Sequence, residues 1–257
     1  MYYLVSNPMK GRFMITFDCY SCSGERDTNE DRFGYQITDS FASFMIADGL
    51  GGHIGGSIAA ELAVDTAKFI IKNENLPSPE QYMQTIFERI QNCLIQRQKE
   101  VGIPSAYKTT MVILLIYEGR AIWAHIGDSR LYMFSKNTLI FKTTDHSVSQ
   151  MMVSCGEIKP SQLRGHCDRN RLLRVLGIES DEVRYEISDS VSISPGDAFL
   201  LCSDGFWEWI IERKMTKYLK SSNSPQEWLN KMKNEVTRNG TGKNMDNYSA
   251  ICVSVTK

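Results

Sequence analysis

No long apolar run crosses this 257-residue sequence. The longest, residues 111–117 (MVILLIY), is far short of the roughly 20 residues a membrane-spanning helix requires. An excess of one charge is also missing: 29 Lys and Arg face 30 Asp and Glu, for a formal net charge of −1. The cations are scattered rather than striped, which argues against nucleic acid and against an anionic membrane as partners. A disulfide framework is absent too. Cys19, Cys22, Cys93, Cys155, Cys167, Cys202 and Cys252 are odd in number and irregularly spaced. Cys202 and Cys252 sit inside apolar runs, where thiols behave as small core residues, so a reduced, cytoplasmic setting is expected. Cys19-Tyr20-Ser21-Cys22 has the form CxxC but no second pair and no helix start after it, and it is given no metal or redox role. The opening MYYLVSNPMKGR has no basic leader running into an apolar stretch, so no secretory signal is expected. With no repeat and no linker-like stretch, residues 1–257 are expected to form a single domain.

What is present is 42% hydrophobic and 23% charged, enough for a substantial core. Strands are expected over 12–20, 31–38 and 41–47. A helix follows residues 51–56, with Ile58, Leu62 and Phe69 on one face and Ala59, Ala63 and Ala67 beside them. A second helix opens at Ser78-Pro79-Glu80-Gln81, with Ser78 as cap and Gln81 completing a capping box. Its stripe is Met83, Ile86, Phe87, Ile90 and Leu94. A meander is expected next, with strands 109–117, 121–126, 131–134 and 139–142, the second turning back at Gly127-Asp128-Ser129. Residues 146–180 are polar and irregular. Strands over 183–187 and 198–202, a helix capped by Ser224 and a strand over 248–255 close the chain. Strands joined by tight turns, with helices grouped between them, predict an α+β fold of antiparallel sheets covered by helices.

Three acids stand beside a Gly or Asn at the edges of apolar strand-like runs: Asp48 in FMIADGLGG, Asp204 in FLLCSDGF and Asp246 in MDNYSAICV. Such carboxylates are held rigidly yet face solvent, which suits a hard divalent cation. Brought together they repel one another unless cations neutralise them. Two metals bridged by one carboxylate would hold a water, lower its pKa and aim it at phosphorus. Glu30 and Asp31, in GERDTNEDR, would orient the waters around the metals. Arg26 could grip two phosphate oxygens at once. A phosphate ester is the expected substrate.

Taken together these pieces resemble the metal-dependent protein phosphatase family (the PPM or PP2C type) in its compact bacterial form. The resemblance rests on Arg26-Asp27-Thr28-Asn29-Glu30-Asp31, Ala47-Asp48-Gly49-Leu50-Gly51-Gly52-His53, Gly127-Asp128-Ser129-Arg130, Ser203-Asp204-Gly205 and Asp246-Asn247, in that order. A further match is Arg169-Asn170 followed by Leu172-Leu173-Arg174-Val175-Leu176-Gly177. The resemblance implies a four-layer α-β-β-α sandwich of two antiparallel sheets flanked by helices, with two Mn²⁺ or Mg²⁺ ions at one end. Asp48 would bridge both metals, the Gly49 carbonyl would bind the second, and Asp204 and Asp246 would complete the first. Asp128 matches the acid that, with Asp204, holds a third and weaker ion. Arg26 would hold the substrate phosphate, with Glu30 and Asp31 as supporting catalytic acids. Water would attack phosphoserine or phosphothreonine directly, without a phosphoenzyme. Residues 146–180 would form a flap that selects substrates. Phosphoproteins, including a cognate Ser/Thr kinase, would be the partners of a cytoplasmic monomer.

The chain departs from the family pattern in places. Leu50 stands where animal members carry a His proposed as general acid. His53 belongs to the bacterial Gly-Gly-His pattern and need not take that role, so no leaving-group acid is assigned. Ser249 replaces the usual Thr and keeps the hydroxyl, and Thr109-Thr110 lacks a preceding Gly. Plainer readings also exist. Each Asp-Gly alone is an ordinary turn, Gly127–Ser129 is explained by hairpin chemistry, and Arg26 by a surface ion pair. Gly51-Gly52 and Gly55-Gly56 fit a tight passage from strand to helix. His125 and His166 read as structural, and Trp207 and Trp209 as helix packing. Two rival functions are a phosphoprotein-binding regulator without activity and a phosphohydrolase of small molecules. Retention of Asp48, Asp204 and Asp246 favours the enzyme.

Overall fold

The computed structural model describes residues 3–5, 13–50, 54–180 and 183–257. Gly51, Gly52 and His53 lie outside the described residues. The chain begins with β1 (Tyr3–Val5), β2 (Met14–Cys22), β3 (Asp31–Ile37) and β4 (Ala42–Leu50), then α1 (Ile54–Asn73) and α2 (Pro79–Val101). Next come β5 (Lys108–Thr109), β6 (Met111–Tyr117), β7 (Arg120–Ile126), β8 (Arg130–Ser135) and β9 (Thr138–Lys142). The polar stretch expected to be irregular holds only α3 (Val148–Ser154) and a 3₁₀ turn, Pro160–Gly165. β10 (Glu186–Ile187), β11 (Val191–Ser192) and β12 (Ala198–Cys202) lead to α4 (Asp204–Trp207), α5 (Glu212–Lys220), α6 (Pro225–Gly240) and β13 (Tyr248–Thr256).

The strands form two antiparallel sheets. One runs β1-β2-β13-β12-β8-β9; the other runs β10-β7-β6-β4-β3, with β11 on β7 and β5 on β4. Each strand sends alternate side chains to opposite faces, so a central strand covered on both sides is apolar throughout. β6 shows this. Val112, Leu114 and Ile116 enter the core between the sheets, where they meet Phe44, Phe199, Ile251 and Val253. Met111, Ile113 and Leu115 face the α1–α2 layer and meet Met83, Phe87 and Ile90. On the far side, α4, α5 and α6 cover the other sheet through Phe206, Trp207, Trp228 and Met232. This is the α-β-β-α sandwich expected. Among the described residues no helix is long and apolar enough to cross a membrane.

The α2 stripe is fully buried, and Ser78 Oγ accepts the Gln81 N–H at 3.3 Å, the first half of the expected capping box. α1 corrects its expected face. Ala59, Ala60, Ala63, Val64, Ala67, Ile70 and Ile71 are buried, whereas Phe69 is 58% exposed. The small residues let α1 lie against β3, where a Cβ on Gly34 would fall 2.5 Å from Val64. The expected meander is also corrected. β7 and β8 do not pair: β7 belongs to one sheet and β8 to the other, so residues 127–129 step across the sandwich. Side chains from other elements, described below, take the place of a hairpin ladder there. β4 runs three residues past its expected end because Gly49 and Leu50 pair with β5.

Candidate active site

The step between the sheets, the ends of β4 and β12 and the start of β13 meet at one edge of the sandwich. There an open cleft of about 390 Å³ is lined by Arg26, Glu30, Asp48, Gly49, Asp128, Asp204 and Asp246, with Thr28, Leu50, Asn170, Leu172 and Asn247 around them. The structure thus brings the sequence-predicted residues together, with Asp31 buried directly opposite Asp48 in the β3–β4 pairing. Asp48 comes from one sheet. Asp204 follows β12 and Asp246 precedes β13, neighbours in the other sheet.

Each acid is placed by backbone bonds that the local sequence supplies. Thr110 Oγ1 accepts the Asp48 N–H (3.1 Å), and the Thr110 N–H and Thr109 Oγ1 both donate to the Asp48 carbonyl (2.9 Å each). Thr110 Oγ1 also lies 2.8 Å from Ser129 Oγ, which joins the β4 end to the inter-sheet step. Gly49 and Gly56 touch: a Cβ on Gly49 would sit 2.1 Å from the Gly56 carbonyl oxygen. Gly56 thus serves the expected tight passage from strand to helix. Asn247 uses its whole amide, with Oδ1 accepting the Glu30 N–H (2.8 Å) and Nδ2 donating to the Ser23 and Thr28 carbonyls (2.9 and 2.8 Å). Ser203 Oγ donates to Asp31 Oδ2 (2.6 Å) and accepts the Ser249 N–H (2.9 Å), while Ser249 Oγ donates to Ser21 Oγ (2.8 Å). Arg26 forks onto Asp246, Nε to Oδ1 at 3.1 Å and Nη2 to Oδ2 at 3.0 Å, with both side chains partly exposed.

Behind the cleft a buried tie holds Asp128. The Trp207 Nε1–H donates to the Asp128 carbonyl (2.9 Å), and the Arg130 guanidinium lies 3.4 Å over the Trp207 ring. Arg130 in turn grips both oxygens of Asp145 (2.7 and 2.6 Å), all of it buried. Segment 146–180 is attached to the α4–α5 side by Arg169 on Glu208 (2.7 Å) and Arg164 on Glu212 (2.8 Å).

Burial dominates the electrostatics. It pushes Asp31 up to about 6, although the Ser203 hydrogen bond pulls the other way. Asp204 rises to about 7 through burial and then through the charges of Asp246 and Asp31. Asp48 and Asp128 rise well above the ordinary aspartate value, by burial first and by neighbouring carboxylates next. A cluster of acids that resists ionising together is stabilised by a cation among them. An all-oxygen donor set selects Mg²⁺ or Mn²⁺ over softer ions. Asp31 Oδ1 is buried and accepts no hydrogen bond from the described residues, an orphaned acceptor behind Asp48. The residues present fit a divalent metal centre.

The supporting roles of several residues escaped the sequence reading. Thr109, Thr110 and Ser203 are hydroxyls at the rims of apolar runs, and such residues are common without any role. Arg130 carried a better signal, since a charged residue that opens an apolar strand such as RLYMF requires a partner; Asp145 and His146, at the border of a polar stretch, carried none.

The pattern of the family described as Protein phosphatase 2C matches residues 20–247. The serine/threonine phosphatase stp of Listeria welshimeri is 31% identical over 209 residues, 79% of this chain and 81% of that protein. The crystal structure of the serine/threonine phosphatase Stp1 from Staphylococcus aureus matches with a TM-score of 0.85 over 99% of this chain and 100% of that one, at 24% identity. The catalytic domain of the phosphatase PstP, solved in complex with 2 manganese ions, matches with a TM-score of 0.78 over 95% of this chain and 99% of that one, at 22% identity. The two solved structures share the sandwich. With most of its length matched by the family pattern, and four acids from distant parts of the sequence gathered at one edge, the chain belongs to the protein phosphatase 2C family.

Proposed function

We propose that this protein hydrolyses phosphoserine and phosphothreonine on other proteins, in the cleft lined by Arg26, Asp48, Asp128, Asp204 and Asp246. The observation that carries the reading is the convergence of these carboxylates, drawn from both sheets, beside a guanidinium. The cleft would hold two Mn²⁺ or Mg²⁺ ions and a weaker third, which when bound would neutralise the acids and supply the activation of water for attack at phosphorus. Asp48, the Gly49 carbonyl, Asp204 and Asp246 would hold the two ions, and Asp128 would help hold the third. Arg26 presents its planar fork at the cleft mouth, where it already grips a carboxylate and is matched equally well to phosphate oxygens. Asp31, backed by Ser203, would hold a hydrogen bond or a proton at Oδ1, and Glu30 lines the cleft. The partner that sets the substrate supply is a Ser/Thr kinase. Release of phosphate from a phosphothreonine peptide should require Mn²⁺ or Mg²⁺, stop with EDTA, and be absent in Asp204→Asn. A folded Asp204→Asn protein with full activity would sink the assignment.

A further inference from the structure

The inter-sheet step at residues 127–129 has no ladder partner on either side, and one histidine takes that place. The Gly127 N–H donates to His146 Nδ1 at 3.1 Å, and the His146 N–H donates back to the Gly127 carbonyl at 2.9 Å. Both polar groups of the residue preceding Asp128 are therefore held by His146. The His146 carbonyl accepts the Leu173 N–H (2.8 Å), one residue past Leu172 on the cleft wall. Gly127 has φ +96°, and a Cβ there would lie 2.6 Å from Thr110 Cγ2, so the step is clamped from both sides.

A neutral imidazole has one lone pair. At His146 the Gly127 N–H occupies it at Nδ1, which places the ring proton on Nε2, 3.1 Å from Glu186 Oε1. His125 stacks on this ring at 4.7 Å and 12° and is itself anchored by Nε2 on the Thr144 carbonyl (2.8 Å). His125, His146 and Glu186 bring ligand atoms within 4.8 Å of one another. In this tautomer His146 Nε2 carries a proton and Nδ1 is taken by the Gly127 N–H, so the trio is not a metal site. Burial and the adjacent His125 push His146 below the ordinary histidine range, with Arg174 adding to them and Glu186 opposing.

We propose that His146 is a positioning residue for Asp128: its unprotonated Nδ1 holds the Gly127 N–H and so fixes where the Asp128 carboxylate stands in the cleft. The proposal rests on Asp128 being a metal-binding acid, as argued above. Its test uses His146→Asn, whose Oδ1 replaces Nδ1 as acceptor, beside His146→Gln, whose amide reaches the Nε2 position instead, with His146→Ala and Asp128→Asn as references. Two readouts are taken on the full chain: the Mn²⁺ binding isotherm followed by electron paramagnetic resonance, and hydrogen exchange of the Gly127 amide by NMR. His146→Asn should keep the Gly127 amide protected and the weakest Mn²⁺ site near wild type. His146→Gln and His146→Ala should lose the protection and weaken that site by roughly 10–100-fold, as supporting hydrogen bonds to ligands do. If Asp128→Asn alters the isotherm while His146→Gln binds as wild type does, His146 has no such role. If Asp128→Asn leaves the isotherm unchanged, the assignment of Asp128 falls, and the proposal falls with it. Should His146→Ala fail to fold, the Asn and Gln variants, which differ in the ring nitrogen they imitate, still decide.

Discussion

A guanidinium that grips a carboxylate with two bonds is already shaped for phosphate, and Arg26 does so on Asp246 at the mouth of the cleft. Truncation to Ala should therefore weaken substrate engagement more than turnover. A lost charged hydrogen-bonding pair corresponds to about 10–100-fold in kcat/KM, carried mainly by KM. Steady-state kinetics on a phosphopeptide would show it, and unchanged kinetics would remove Arg26 from the substrate's path. At this scale the acids were legible because Asp48, Asp204 and Asp246 break apolar runs beside Gly or Asn. The residues that hold them were not. A threonine that bonds the backbone of a cleft acid, such as Thr110 on Asp48, has the same letter as one on a solvated strand.

Between elements, a close approach that bears on the cleft is where the end of β4 meets the first turn of α1. A Cβ added to Gly56 would lie 2.8 Å from the Gly49 carbonyl carbon and 2.9 Å from Glu30 Cδ. Gly56→Ala should accordingly cost about 1–3 kcal/mol, the usual range for overpacking, and should depress activity by displacing Gly49 and Glu30. Denaturant unfolding and peptide turnover measure the two effects, and a variant normal in both would show that the approach is not tight. Elements with a strong period were readable: α2 follows its stripe from the Ser78 cap to Gly102, which ends it in a left-handed turn. α5 was not expected because its sequence ERKMTKYLK buries only Met215. β7 and β8 looked like a hairpin because a tight turn and a step between sheets use the same Gly-Asp-Ser chemistry; only the pairing partners tell them apart.

For the molecule as a whole, the layered architecture followed from hairpin-connected strands with helices between them, whereas the meeting of distant acids depended on a fold that no local pattern displays. That meeting has a thermodynamic signature. Asp31 at about 6 and Asp204 at about 7 both lie above the reference value of 3.8. From about pH 4 to about pH 7 the folded chain therefore holds more protons than the unfolded one, and their contribution makes stability fall as pH rises. Thermal midpoints in EDTA should decline across this window, less steeply in Asp204→Asn. Mn²⁺ at 100 times its dissociation constant should restore about 2.7 kcal/mol at neutral pH, roughly 5–10 °C for a chain of this size. A flat profile in EDTA, or no response to Mn²⁺, would contradict this account. The sharing of acids between sheets reaches further still. Away from the cleft, where Ser203 and Asn247 tie the two together, their contact is built from apolar side chains, which tolerate sliding better than hydrogen bonds do. A slip of one residue spacing, about 3.3 Å, would part Asp48 from Asp204 and Asp246 while leaving every ladder intact. The reaction thus acts as a gauge of alignment, and only a chain whose two halves have settled in register can turn over substrate.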